Sequence, residues 1–512
     1  MKGENAMNNI IEINTDKMER PEDTDNLLKV REQLAAGFDR CGHISDVTIA
    51  VVALNRVNKT KDCVESILRC TKNVDYDLVL IDNGSTDETP EYLKSVNYEK
   101  VRIIHLTKTV SLAASMYYLN LNAIAENFVL LNNDMIVTEN WLDNLLRVIK
   151  SDKKIGMVAA MSTNVSNLQD PGISFSNFDE FQRKAAAFNK PDPAKWHERL
   201  RLITTATLLT KECLLAIGWP LLDMGYVHDF VDDDIGFRVR RAGYKSVLAG
   251  DVLVCHNHDY SITENRSSEQ IQKTIMLGKT SFRNKYSGVD AWEDVNNYVF
   301  PYIGNKISPP ADSKNVRILG IDCKAGTPVL DVKNAIRKYG IFEPNVCAFS
   351  QNGKYYTDLK TVCDDVVCDR VDFLKNHYEE NGFDYIIIGE DINEYADPVA
   401  VVKNAYSLLK QRGQLFLALK NVYNSDAVMS ILGFNVQEHT EARAYTIDWF
   451  VNRLGEAGIT HVEGMTHQAK QIDRDTLEFL KLLVNSAGSQ DTSAEQLLNK
   501  IAIDRFWLKI VK

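Results

Sequence analysis

The sequence predicts an α/β protein made of two successive strand–helix series. Three observations carry this. β-Branched apolar runs alternate with helix-spaced segments, most of the runs stop at polar residues, and a proline-rich stretch at 301–315 divides one series from the next. A chain of 512 residues is also longer than one core usually serves. The expected organisation is an arm at 1–45, a first domain at 46–300, a linker at 301–315 and a second domain at 316–512.

Composition sets the class. An apolar share of 45% and a charged share of 25% are those of a folded globular chain. The net charge of −11 argues against nucleic acid or an anionic membrane as a general partner. Nine cysteines, odd in number and without a CxxC pair, exclude a disulfide framework or zinc ribbon and fit reduced thiols. No apolar run approaches the roughly 20 residues a spanning helix needs. The start lacks the basic-then-apolar order of a secretion signal. The expectation is a cytoplasmic protein with no membrane segment.

In chain order, residues 1–45 are a polar arm with one helix over about 25–37. DVTIAVVALNR at 46–56 is a strand buried on both faces. A helix over about 58–70 follows, with Val64, Ile67 and Leu68 inward. YDLVLIDNGSTDET at 76–89 repeats the pattern, and Ser85 with Glu88 three residues on has the form of a capping box. VRIIHL, a helix over about 111–126 and NFVLLNNDMIV at 127–137 continue it. In DFVDDDIGFRVRRAGY at 229–244, Asp232, Asp233 and Asp234 open a helix whose inward positions are Ile235, Val239 and Ala242, with Gly243 closing it. Acids at a helix start are favoured by the macrodipole, so a purely structural explanation is available for all three. The following strand ends at His256. Ligands of open α/β sheets bind beyond the carboxyl ends of the strands. Asn55, Asp82 with Asn83, Asn132 to Asp134, and His256 should therefore share one rim.

The order VTIAVVALNR, LVLIDNGSTDET, FVLLNNDMIV, DFVDDDIGFRVRRAGY and VLVCHNH resembles the nucleotide-sugar-dependent glycosyltransferases of family 2, which have the GT-A fold, over residues 46 to about 300. The resemblance implies that Asn55, Asp82 and Asn83 hold the pyrimidine and Asn132 the ribose. It implies that Asp134 and His256 bind Mn²⁺ or Mg²⁺ beneath the diphosphate, with His258 as a weaker candidate. Asp232 falls at the catalytic base. The implied reaction is inverting transfer from a nucleotide sugar, UDP-N-acetylglucosamine first and dTDP-rhamnose second. The acceptor is a hydroxyl of a protein, such as a flagellin serine or threonine, or of a surface polysaccharide. Asn83 and Asn132 depart from the aspartates of many relatives, and Val231 stands where a glutamate is usual. Ser111 and Ser115 receive no role. In the acceptor-facing stretch 160–206, Trp196 either stacks on a sugar or belongs to the core, and Thr204 or Thr205 lines the floor.

The second series, VRILGIDCKAG, NVCAFS, FDYIIIGED, VAVVKNAYSLLKQRG, QLFLALKNV and RFWLKIVK, resembles class I methyltransferases that use S-adenosylmethionine. Two glycines of that motif are replaced by Asp322 and Lys324, and CAFSQNG lacks the ribose-holding acid. Binding of S-adenosylmethionine is therefore not expected. The domain reads as a non-catalytic one for acceptor docking or homo-oligomer formation. A bifunctional transferase–methyltransferase and a non-catalytic sugar-nucleotide scaffold are the alternatives.

Overall fold

The computed structural model describes residues 10–15, 45–119, 123–223, 225–226, 229–258, 268–432, 445–469, 472–487 and 494–512. The chain divides into two compact units, Met1–Asn296 and Asn297–Lys512. Each is a mixed α/β body around one sheet. No helix among the described residues is long and apolar enough to cross a membrane.

The first unit contains strands β1 (Ile10–Ile13), β2 (Val47–Ala53), β3 (Tyr76–Asp82), β4 (Val101–Leu106), β5 (Asn127–Asn132), β6 (Met135–Ile136), β7 (Ile155–Ser162), β8 (Trp196–Glu198), β9 (Ala206–Thr210) and β10 (Lys245–His256). The sheet order is β1-β4-β3-β2-β5-β9-β7-β10-β6, with β8 on β10. Its helices include α1 (Val57–Cys70), α2 (Thr89–Ser95), α3 (Leu112–Ser115), α4 (Trp141–Ile149), α5 (Phe178–Phe188), α6 (Lys211–Ile217), α7 (Val231–Arg241) and α8 (Ser268–Lys285). Strand β9 runs antiparallel to both β5 and β7, so the sheet is mixed. All seven residues of β2 are buried. Val47, Ile49, Val51 and Ala53 pack with α1 and α4 on one face, while Ala50 and Val52 pack with α3, α6 and α7 on the other. Side chains two apart share a face, which is how one apolar run feeds two helical layers.

Several local expectations change. The arm is not wholly loose, because β1 pairs in parallel with β4 from Ile10 opposite Ile103 to Ile13 opposite Leu106. The helix expected at 25–37 lies outside the described residues. The capping box at Ser85 does not form: α2 begins at Thr89, with no side-chain cap from Glu88. Ser85 instead accepts the Asn55 amide through Oγ, and Asp87 receives the N–H groups of Val57 and Thr89. The loop is used to reach the start of α1, and a helix cannot also begin there. The helix expected across 111–126 stops early, as α3 and a 3₁₀ turn at Met116–Tyr118.

The second unit has β11 (Arg317–Ile321), β12 (Asn345–Ser350), β13 (Asp365–Cys368), β14 (Phe383–Ile388), β15 (Leu409–Lys420), β16 (Val462–Ala469) and β17 (Ile503–Val511), ordered β13-β12-β11-β14-β15-β17-β16. The first five are parallel to their neighbours, whereas β17 is antiparallel to both β15 and β16. The stretch expected as a linker is packed on this unit. The Tyr385 hydroxyl donates to the Ser308 carbonyl at 2.8 Å, the Ser308 N–H donates to Gln414 Oε1 at 2.9 Å, and Tyr302 stacks on Trp507.

In the first unit, one buried carboxylate ties α7 to α8. Asp234 accepts Arg238 Nε at 2.7 Å, Lys285 Nζ at 2.6 Å and the Tyr286 hydroxyl at 2.7 Å. Removing one member leaves the others buried and uncompensated. Asp234→Ala should lower the stability of this unit by roughly 3 kcal/mol, read as a lower urea midpoint of its unfolding transition.

Candidate functional site

The carboxyl ends of β2, β3 and β5 lie side by side, with Val52 opposite Asn132 and Ala53 opposite Asp82. Beyond β5 the chain turns through Asn133 and Asp134 into the two-residue strand β6. That strand pairs antiparallel with the end of β10, placing Met135 opposite His256. The Asn257 N–H donates to the Asp134 carbonyl at 2.8 Å, and Lys59 Nζ donates to the Asn257 side chain at 2.8 Å. Asp134 is thereby carried across the sheet to the histidines.

His256 Nε2 lies 3.4 Å from Asp134 Oδ1, and His258 Nδ1 lies 3.3 Å from Oδ2. One ligand atom from each residue falls within 4.8 Å of the others. Asp134 is buried, and its Oδ1 accepts no hydrogen bond of good geometry among the described residues. His256 Nδ1 is 3.3 Å from the Asn164 carbonyl. A carbonyl only accepts, so Nδ1 donates there when it carries a proton, which leaves Nε2 facing Asp134. One carboxylate flanked by two imidazoles fits a divalent cation. Burial alone would raise the Asp134 carboxyl, but His256 and His258 outweigh it and hold it below the usual range. Burial likewise pulls His256 down, and Asp134 outweighs that to raise it.

His258 ranked low in the sequence, yet it stands beside His256. Residues two apart on extended chain point the same way. The HNH spacing held that signal.

The second part of the site is a cleft of about 260 Å³. Asn132, Arg201, Thr204, Thr205, Asp232 and Asp233 are among its walls. The Thr204 hydroxyl donates to Asp232 Oδ1, which orients that carboxyl. Asp233 pairs with Arg201 Nε at 2.6 Å. Burial pushes the Asp233 carboxyl up to about 7, Arg201 pulls against it, and Asp232 adds to the rise. Asp234 faces α8. The three adjacent acids therefore have three different surroundings.

The residues expected at the pyrimidine make the following contacts within the chain. Both polar atoms of the Asn83 side chain bind the Val110 backbone, at 2.8 and 3.0 Å. Asn55 Oδ1 accepts the Thr86 N–H at 2.8 Å. Asp82 is buried, with His105 Nδ1 at 2.5 Å and the Ser85 N–H at 3.0 Å. In this structure the two amides brace the loops of the rim, and Asp82 is paired with a histidine the sequence did not flag. Trp196 is a core residue, with Nε1 donating to buried Asp251 at 2.8 Å. Trp292 and Tyr226 line the cleft instead. No local pattern marked them.

In the second unit a cleft of about 200 Å³ lies at the ends of β11, β12 and β14, with Asp322, Lys324 and Gln351 in its wall. Asp322 and Lys324 have φ of 48° and 49°, the left-handed region that favours glycine. The Asp322 carboxylate occupies the turn, accepting the Gln351 N–H at 2.7 Å and the Tyr395 hydroxyl at 2.7 Å.

Residues 48–198 match the model of the family described as Glycosyl transferase family 2. A comparison with curated proteins finds no match. Among solved structures, the chain is similar to a mannosyltransferase, PcManGT, from Pyrobaculum calidifontis in complex with GDP-Man and Mn²⁺. Identity there is 15%, over 46% of this chain and 67% of that one, with a TM-score of 0.32. It is also similar to GalNAc-T7 with UDP, GalNAc and Mn²⁺, at 13% identity over 42% of this chain, with a TM-score of 0.32. The match spans 43% of the GalNAc-T7 chain, less than half its length. A third similar structure is a SAM-dependent methyltransferase from Archaeoglobus fulgidus, at 15% identity, 46% of this chain and 99% of that one, with a TM-score of 0.30.

Single replacements His256→Ala and His258→Ala should each weaken Mn²⁺ binding by roughly 10- to 100-fold in titration calorimetry. In the unsubstituted chain, Mn²⁺ affinity should climb as pH rises through and above the ordinary imidazole range, because His256 must lose a proton that Asp134 stabilises.

Proposed function

We propose that this protein, whose residues 48–198 match the family 2 model, is a metal-dependent, inverting glycosyltransferase that moves a sugar from a nucleoside diphosphate to an acceptor hydroxyl. The observation that carries the reading is the meeting of Asp134, His256 and His258 at the same strand-end rim as the Asn132–Asp232 cleft.

Breaking the bond between the anomeric carbon and the diphosphate leaves negative charge on the departing group. Asp134, His256 and His258 would hold a divalent cation, which would supply positive charge against that group without proton transfer. Two imidazoles and one carboxylate suit Mn²⁺ better than Mg²⁺, which prefers oxygen ligands. Lys59, held beside the cluster by Asn257, adds a fixed positive charge on the same side. Asn132, at the end of β5, is the partner this reading gives to a ribose hydroxyl.

Across the sugar, Asp232 takes the proton of the acceptor hydroxyl while its oxygen bonds to the anomeric carbon and the diphosphate leaves. Attack opposite the leaving group inverts that centre. A carboxylate within reach of the acceptor hydroxyl is the general base that such a step needs. Asp233 and Asp234 serve less well, since Arg201 neutralises the first and Arg238 with Lys285 engages the second. UDP-N-acetylglucosamine and then dTDP-rhamnose are the donors to try first. The second unit takes no part in methyl transfer, because Asp322 fills the turn where a cofactor's backbone contact would lie.

Asp232→Asn should reduce transfer by roughly 10²- to 10⁴-fold while nucleotide-sugar binding, followed by calorimetry, stays within about twofold. Full activity in that variant would end the assignment. S-adenosylmethionine titrated into the full chain should give no binding heat, and micromolar binding would restore the methyltransferase reading of the second unit.

A further inference from the structure

A short strand near the start of the chain reaches the loops of the strand-end rim by two routes. Strand β1 is the edge strand beside β4, with Ile10 packed on the core of one sheet face and Ile11 and Ile13 on that of the other. Just beyond it Thr15 is only 4% exposed, and it closes on the segment that follows β4. The Thr15 N–H donates to Thr107 Oγ1 at 2.9 Å. Its hydroxyl accepts the Lys108 N–H at 2.8 Å and donates to the Lys108 carbonyl at 3.0 Å. One hydroxyl serving both polar groups of a residue stands in for a further rung of the strand ladder.

The rim grips the same segment from its other side. Asn83 binds both polar groups of the Val110 backbone, and the Thr109 hydroxyl donates to the Gly84 carbonyl at 3.2 Å. Gly84, at φ 72°, lies so close that an added Cβ would collide with the Lys108–Thr109 peptide. Residues 107–110 are therefore a bar between Thr15 and the Asn83–Gly84 turn.

The second route is a row across the sheet. Glu12 is opposite His105 and His105 is opposite Asp82, so acid, imidazole and acid follow one another over β1, β4 and β3. His105 Nδ1 meets Asp82 Oδ2 at 2.5 Å, and Asp82 Oδ1 accepts the Ser85 N–H beside Asn55. Four residues at the edge of a ten-stranded sheet contribute little to its global stability. What they fix is position, because the bar cannot shift without breaking the Thr15 bonds or unseating Asn83.

We propose that β1 with Thr15 is a strap that holds the nucleotide rim in its binding shape, and that Thr15 is a positioning residue for the donor. It acts through residues 107–110 on Asn83 and Gly84 and does not touch the nucleotide. This rests on the transferase reading above, with the base seated at Asn55, Asp82 and Asn83. The cluster of Asp134, His256 and His258 supplies an internal control. Sheet order puts β1 at one edge and β10 with β6 at the other, so loosening the strap leaves that cluster in place.

The test is calorimetry on the full chain. The wild type is compared with Thr15→Val, which keeps the branched shape and loses the hydroxyl, and with Thr15→Ser, which keeps the hydroxyl. Mn²⁺ is titrated first; UDP, dTDP and GDP are then titrated into the Mn²⁺-loaded chain, and the tightest of them is followed. Thr15→Val should weaken that nucleotide by roughly three- to tenfold while Mn²⁺ affinity stays within about twofold. It should also speed hydrogen exchange at the Lys108 and Val110 amides, and Thr15→Ser should restore both readouts. Thr107→Val breaks the same junction from the other side, should act in the same direction, and keeps the test usable if Thr15→Val does not fold. Nucleotide binding indifferent to both valine variants overturns the proposal and leaves the transferase reading standing. So does a loss that serine fails to restore, or an equal loss of nucleotide and Mn²⁺ affinity, which is general destabilisation. A wild-type chain that binds none of the nucleotides, with or without Mn²⁺, removes both readings.

Discussion

Everything about the cluster of Asp134, His256 and His258 depends on a pairing of two residues. Strand β6, Met135–Ile136, crosses from the end of β5 to the end of β10, and only because of it does Asp134 stand against His256 and His258. The backbone bond from Asn257 to the Asp134 carbonyl closes the same junction. A carboxylate taken out of water needs partners close by. Here they are two imidazoles from one short extended segment, and His256 Nδ1 faces the Asn164 carbonyl.

The acidic helix shows how identical side chains acquire different tasks. Asp232 faces the cleft with Thr204, Asp233 is buried with Arg201, and Asp234 is wholly enclosed by Arg238, Lys285 and Tyr286. Successive helix positions are separated by about 100°, so three adjacent residues look in three directions. The enclosed pair fix the helix, and the first acid is left at the cleft.

The second unit is a sheet of seven strands in the order β13-β12-β11-β14-β15-β17-β16, and the turn after β11 is strained. Left-handed backbone persists at Asp322 and Lys324 although neither is glycine. The hydrogen bonds from Gln351 and Tyr395 to Asp322 are what hold so unfavourable a conformation in place.

By itself the sequence determined the two α/β units, the buried strands, the start and end of the acidic helix, and the strand ends bearing Asn132 and His256. Those follow from periodicity, and periodicity is local. It also contained the HNH spacing that sets His258 beside His256, since two steps along extended chain return to the same side. Only the tertiary structure decided that Asn55 and Asn83 brace loops, that Ser85 serves Asn55 in place of a helix cap, and that Trp196 is core while Trp292, nearly a hundred residues later, walls the cleft. These outcomes depend on which distant backbone groups and rings arrive nearby, and a strand as short as β6 leaves no periodic trace from which that arrival can be read.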